Sequence, residues 1–168
     1  GFASPQASLL VDGRRQSVEA AIPGGVVVDT EVCLAAPRIL WCSGVGDLVA
    51  KLTAVRDWKL AFHHDATPVD DFAALLSDAS VFQFIGRPTR DLEGIRLLAT
   101  ALMLNGIAMG ICGSSRPASG SEHLISHALD AVCERPRLHG LQVGVATYLV
   151  SYLHGSSTEL IRGLFSET

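Results

Sequence analysis

At 168 residues the chain is of single-domain size and long enough to bury a real core. Its 13 basic against 17 acidic residues, net charge −4, give no electrostatic basis for binding nucleic acid or an anionic membrane. An apolar content of 48% is high for a globule, so some apolar surface is expected to meet another domain or subunit, with a homo-oligomer as the simplest case.

In chain order, Ala7–Val11 and Gln16–Ala20, split by Asp12-Gly13 and two arginines, read as a hairpin. Val26–Val28, a β-branched run after Gly24-Gly25, suits a short buried strand. From Thr30 onward the pattern turns helical. Gly46–Phe62 carries apolar residues at 48, 52 and 55, with Asp47 and Lys51 one turn apart beside that stripe. Val69–Phe84 and Leu92–Cys112 follow as helices. Within the latter, the apolar run Leu97–Cys112 is interrupted by Thr100, Asn105 and two glycines and falls short of the roughly 20 residues of a bilayer span. Ser119 with Glu122 forms a capping-box pattern opening a helix that bears His123 and His127, and Arg135-Pro136 breaks it. Leu138–Leu153 is the next helix, and Ser156 with Glu159 caps a last short one. The expected fold is mainly α: a bundle of six or seven helices (residues 31–168) behind a small N-terminal β remnant (residues 1–30).

Cys33, Cys42, Cys112 and Cys133 form no CxxC pair and sit in apolar contexts, which predicts reduced core thiols in a cytoplasmic protein. No basic-then-apolar leader opens the sequence.

Six histidines divide into two sets. His63 and His64 stand at a helix end before Asp65, and His154 precedes Gly155 at another; cations there complement the helix dipole and need no further role. His123 and His127 are i and i+4 on one face, and His139 adjoins Gly140, where a backbone can approach closely. Imidazoles with one carboxylate make a three-ligand set that leaves a position open, the mark of a catalytic metal. Spacing alone supports a possible metal site and no more.

The segments GVGDLVAKLTAVRDWKLA, GSSRPASGSEHLISHALD and LHGLQVGVATYL resemble the sn-glycerol-1-phosphate dehydrogenase family, within the wider group of dehydroquinate synthases, glycerol dehydrogenases and iron-containing alcohol dehydrogenases. The similarity runs from GFASPQASLLVDG through almost the whole chain. It implies a C-terminal helical metal-binding domain of the dehydroquinate synthase type, partnered by an N-terminal Rossmann-like domain for NAD(P). It also implies that Asp47, His123 and His139 hold a divalent metal: zinc first, with iron or nickel as alternatives. His127 would contact substrate, Asp47 would touch it too, and Ser4 in GFAS would help bind the nucleotide. Lys51 would help place an anionic substrate. The loop Gly113–Arg116, through Ser114 and Arg116, is either a phosphate cradle or a plain interhelix connection.

Three departures accompany the resemblance. The family's glycine-rich nucleotide loops and a substrate-contacting aspartate would precede Gly1. Further helices would follow Thr168. The family often has HGE where this chain has His139-Gly140-Leu141, so a polar neighbour of the ligand is expected to be lost. The leading reading is therefore the metal-binding part of an enzyme that interconverts dihydroxyacetone phosphate and sn-glycerol 1-phosphate with NAD(P)H when its nucleotide domain or subunit is present. Two others stand beside it: a free-standing metal-dependent lyase or cyclase on a phosphorylated polyol, and a non-catalytic module.

Overall fold

Two strands and eight helices follow one another through residues 4–12, 14–135 and 137–168, the part of the chain that the computed structural model describes. They are β1 (Gln6–Val11), β2 (Arg14–Glu19), α1 (Thr30–Ala35), α2 (Arg38–Val49), α3 (Lys51–Asp65), α4 (Asp71–Ile85), α5 (Leu92–Cys112), α6 (Ser121–Val132), α7 (His139–Leu153) and α8 (Thr158–Glu167). The mainly helical architecture with a small N-terminal β element is as expected.

The hairpin pairs Gln6 with Glu19 through Val11 with Arg14. Both arginines therefore belong to β2 rather than to the turn. The link is Asp12-Gly13, with Asp12 at φ +49°, the left-handed backbone that a two-residue hairpin turn demands; Gly13 lies outside the described residues. Arg15 Nε donates to Asp130 Oδ2 at 2.9 Å and so fastens the hairpin to α6.

Val26–Val28 is not a strand. It has no ladder partner among the described residues, and Val27 is 98% exposed. Val26 and Val28 instead line an apolar groove of about 550 Å³ with Leu40, Trp41, Leu98 and Leu102.

The helix predicted over Gly46–Phe62 is two helices, α2 and α3, meeting at Ala50. α2 also starts earlier, at Arg38 after Pro37. Gly44 and Gly46 weaken the helical signal in sequence, yet both are packing positions. A Cβ on Gly46 would lie 2.1 Å from the Gly140 carbonyl oxygen, and one on Gly140 would lie 1.9 Å from the Ser43 carbonyl oxygen. The backbones of α2 and α7 touch at this crossing.

The main core is built from Trp41, Val45, Leu48 and Val49 of α2, Val81 and Phe84 of α4, and Ile95, Leu98 and Ala101 of α5, with Leu164 of α8. α5 is long and apolar enough for a membrane span by length and composition alone; here it is a bundle helix whose Ile95, Leu98, Ala101, Ala108 and Met109 are buried. Asp29, Asp70 and Asp91 accept from first-turn N–H groups and cap α1, α4 and α5.

Two predicted caps are different in fact. α6 begins after Gly120, not Ser119, because the Glu122 carboxylate itself reaches back to the Gly120 N–H at 2.6 Å. α8 follows Ser157, which is left-handed (φ +64°), while the Ser156 hydroxyl accepts from Arg56. His63 and His64 stand in the final turn of α3, as the dipole argument expects, and left-handed Ala66 caps the helix. The cysteines are not core residues: Cys33 and Cys133 are exposed, Cys42 and Cys112 half-buried, and all four are free thiols.

Candidate metal centre

Three helix ends converge. Asp47 lies in the last turn of α2, His123 in the first turn of α6, and His139 opens α7. One ligand atom from each lies within 4.8 Å of the other two. His123 Nε2 is 3.4 Å from Asp47 Oδ1, and the His123 and His139 rings are 5.2 Å apart. The glycine crossing of α2 and α7 makes this possible: no side chains separate the helices, so the carboxylate on one meets the first imidazole of the other. His127 is half-buried at the rim, its ring 6.5 Å from that of His123 and 6.3 Å from that of His139, outside the three-atom cluster.

A cavity of about 100 Å³ opens over these groups. Ser4, Gln6 and Ser8 of the hairpin side, Asn105 and Met109 of α5, and Ser115 and Ser119 of the 113–120 loop complete its walls. Ser4 is buried; its hydroxyl accepts from the Gln6 N–H at 3.1 Å and lies 3.6 Å from Met109 Sδ. Ser114 and Arg116 are not brought to this cavity. They line a separate one with Trp58, Asp70 and Cys112, because the turn directs Ser115, Ala118 and Ser119 inward instead.

Lys51 is only 2% exposed, and its Nζ is already engaged: 2.9 Å from the Ala118 carbonyl and 3.4 Å from Asp47 Oδ1. It neutralises Asp47 and ties the loop to α3. The same loop is held from the other side by buried Ser77, whose Oγ is 2.6 Å from the Pro117 carbonyl and 2.7 Å from Asn105 Oδ1.

Electrostatics follow from these contacts. Burial alone would raise the Asp47 carboxyl, but Lys51 and His123 hold it well below the usual carboxylate range. Burial opposes charge on His123, yet the hydrogen bonds it donates to Asp47 and Glu122 push its imidazole above the ordinary value. His139 has no such support; burial, only partly countered by Asp47, pushes it down to about 4. His127 is also lowered, by burial and then by His123 and Arg15.

The residues that sequence reasoning missed surround the imidazoles. Glu122, fully buried, places Oε1 2.8 Å from His123 Nδ1 and accepts from Thr53 Oγ1 at Oε2, 2.8 Å. Ser126 Oγ is 3.1 Å from His139 Nδ1 and donates to Gln142 Oε1 at 2.9 Å. Ser126 precedes His127, and Gln142 follows His139 by three, so helical spacing was the available signal. The polar neighbour expected to be lost at Leu141 is supplied by Ser126; Leu141 itself turns to an apolar cavity with Val145 and Phe165. His154 is less idle than its helix-end position suggested: its Nε2 meets Asp57 Oδ1 at 2.9 Å, while Asp57 Oδ2 accepts from the Ser121 N–H at 2.7 Å. The pair anchors the start of α6.

A model of the iron-containing alcohol dehydrogenases matches residues 1–37. The glycerol-1-phosphate dehydrogenase [NAD(P)+] of Pyrococcus furiosus is 43% identical over 171 aligned positions, covering 96% of this chain and 48% of that enzyme. Its counterpart from Methanosarcina acetivorans is 44% identical over 167, covering 96% of this chain and 47% of that enzyme. That from Pyrococcus horikoshii is 44% identical over 167, with 96% and 48% covered. The chain spans about half the length of these curated relatives. Over that half, it is similar in sequence to glycerol-1-phosphate dehydrogenases.

Proposed function

We propose that the enzyme containing this chain interconverts dihydroxyacetone phosphate and sn-glycerol 1-phosphate with NAD(P)H, using a divalent metal held by Asp47, His123 and His139. The observation that carries this reading is the three-helix cluster with its ligand atoms within 4.8 Å. One carboxylate and two imidazoles fit zinc, and iron or nickel as well, with room for a substrate oxygen. A bound ion would supply Lewis acidity toward that oxygen, and the nicotinamide would carry the hydride.

The chain's own residues divide the remaining work. His127, whose imidazole burial lowers below its ordinary value, faces the same cavity and is placed to hydrogen-bond a substrate hydroxyl or exchange its proton. Lys51 keeps Asp47 ionised and is a positioning residue rather than a substrate contact. Ser115 and Ser119 face the cavity where Ser114 and Arg116 do not, which makes them the better candidates for the substrate's polar end. Ser4, at the hairpin edge of the cavity, is the residue assigned to the nucleotide. The dehydrogenase relatives favour this reading over a lyase, a cyclase or a non-catalytic module.

Zinc titration of the metal-freed chain tests the site. One zinc per chain is expected, and His123→Ala or Asp47→Ala should abolish it; equal, negligible binding by all three proteins would overturn the reading. In a parallel assay, the 168 residues alone should not oxidise NADH with dihydroxyacetone phosphate. Robust turnover by them would contradict a division of the site between two domains.

A further inference from the structure

Both imidazoles of the cluster have their Nδ1 atoms engaged by buried partners on the side away from Asp47. Both oxygens of Glu122 are placed as acceptors: Oε1 takes the Gly120 N–H at 2.6 Å, and Oε2 takes the Thr53 hydroxyl at 2.8 Å. With both oxygens accepting, His123 Nδ1 carries the hydrogen across its 2.8 Å contact with Oε1. For His139 the direction is set one bond further out. The Ser126 hydroxyl has a single hydrogen, and it is given to Gln142 Oε1. The Ser126 oxygen is then left to accept, and His139 Nδ1 must be its donor at 3.1 Å. Each ring is thus written as the Nδ1–H tautomer, with the Nε2 lone pair free.

We propose that Glu122 with Thr53, and Ser126 with Gln142, are two independent tautomer locks that present Nε2 of His123 and His139 together beside Asp47. These are positioning residues. They touch neither substrate nor the third ligand, and they act by removing the wrong tautomer and the wrong ring rotation before an ion arrives. The burial of all four supports this, since Glu122, Ser126 and Thr53 are 0–1% exposed and Gln142 6%. A polar group that deep is retained only when its bonds are made. The anchoring extends outward: Glu122 also accepts from the Gly120 N–H, and a Cβ on Gly120 would lie 2.6 Å from Asp57 Oδ2 and 2.9 Å from Ala54 Cα. The start of α6 therefore cannot slide along α3 without breaking the lock on His123.

The inference rests on the metal reading for its purpose, but its core can be measured without metal. Histidine side-chain ¹⁵N NMR on the metal-free full chain, above the titration of His123, should show Nδ1–H tautomers at His123 and His139. Gln142→Met removes the acceptor for the Ser126 proton, which can then turn toward His139 Nδ1; the His139 signals should move to the Nε2–H tautomer while those of His123 stay. Glu122→Gln keeps an acceptor but removes the charge, so the His123 tautomer should persist. Both variants should bind zinc roughly 10–100-fold more weakly. If Gln142→Met does not fold, Ser126→Ala provides the same reading at His139 as a mixture of tautomers. Nε2–H tautomers in the parent chain would overturn the proposal, as would variants that keep both tautomer and affinity. Absence of zinc binding by a parent chain with the expected tautomers would instead overturn the metal assignment alone.

Discussion

At the residue scale the cluster contains two histidines with opposite habits, and pH separates them. His139 is depressed to about 4 from an ordinary 6.5, so it favours the folded state while neutral. That stability is complete above pH 6.5 and is lost as pH falls toward 4, because the unfolded chain takes up the proton first. His123 is raised, so its contribution is complete below 6.5 and disappears as pH climbs through its folded value. Denaturant unfolding of the metal-free chain should therefore show an acid loss between pH 6.5 and 4 that His139→Gln removes. His123→Gln should flatten the opposite slope on the alkaline side of 6.5. A profile unchanged in both variants would refute the assignment. Asp47, His123, His127 and His139 were visible in the sequence because spacing and motif place them. Glu122, Ser126 and Gln142 were not, since their role depends on which way buried side chains turn inside helices whose mutual packing no local pattern encodes.

At the element scale the decisive contact is the crossing of α2 and α7. Gly140→Ala would set a methyl 1.9 Å from the Ser43 carbonyl, a backbone atom that cannot swing aside. The helices must part, which should cost on the order of 1–3 kcal/mol and move Asp47 away from His139. A lowered melting temperature together with weakened zinc binding is expected. Gly163→Ala, with nothing near its Cβ, is the control: it should leave zinc binding unchanged and raise the melting temperature slightly through helix propensity. Asp57→Ala should also lower the melting temperature, since it removes the acceptor for the Ser121 N–H and the partner of His154. The sequence disclosed α5 to the residue because a long apolar period sits between Asp91 and Gly113. It hid the start of α2 because the glycines that permit the crossing also look like helix breakers, and it misplaced a strand at Val26–Val28 because β-branching says nothing about whether a neighbouring strand exists.

At the scale of the whole molecule, the surplus of apolar residues noted from composition has a location. Val145, Leu149, Tyr152 and Leu153 recur at helical spacing along α7 and are between 51% and 81% exposed. A stripe of this kind on an isolated 168-residue chain should drive concentration-dependent self-association, read by sedimentation velocity. Leu149→Glu with Leu153→Glu should shift the chain toward monomer; a parent chain that stays monomeric at every concentration would show that the stripe is tolerated in water. The helical class and the small β element were legible from periodicity. Which helix faces remain uncovered was not, since that depends on how the helices choose partners.

The His123 ring lies between two carboxylates, Asp47 on one edge and Glu122 on the other. Those two carboxylates favour a proton on the ring, raising the imidazole above its ordinary value against the effect of burial. Metal uptake at the proposed site should therefore be an exchange, with a cation entering as a proton leaves. The heat of zinc binding should then depend on the buffer that receives the proton, and the slope against buffer ionisation enthalpy counts the protons released. Acidification should work the same exchange in reverse, displacing a bound ion as His123 takes up its proton.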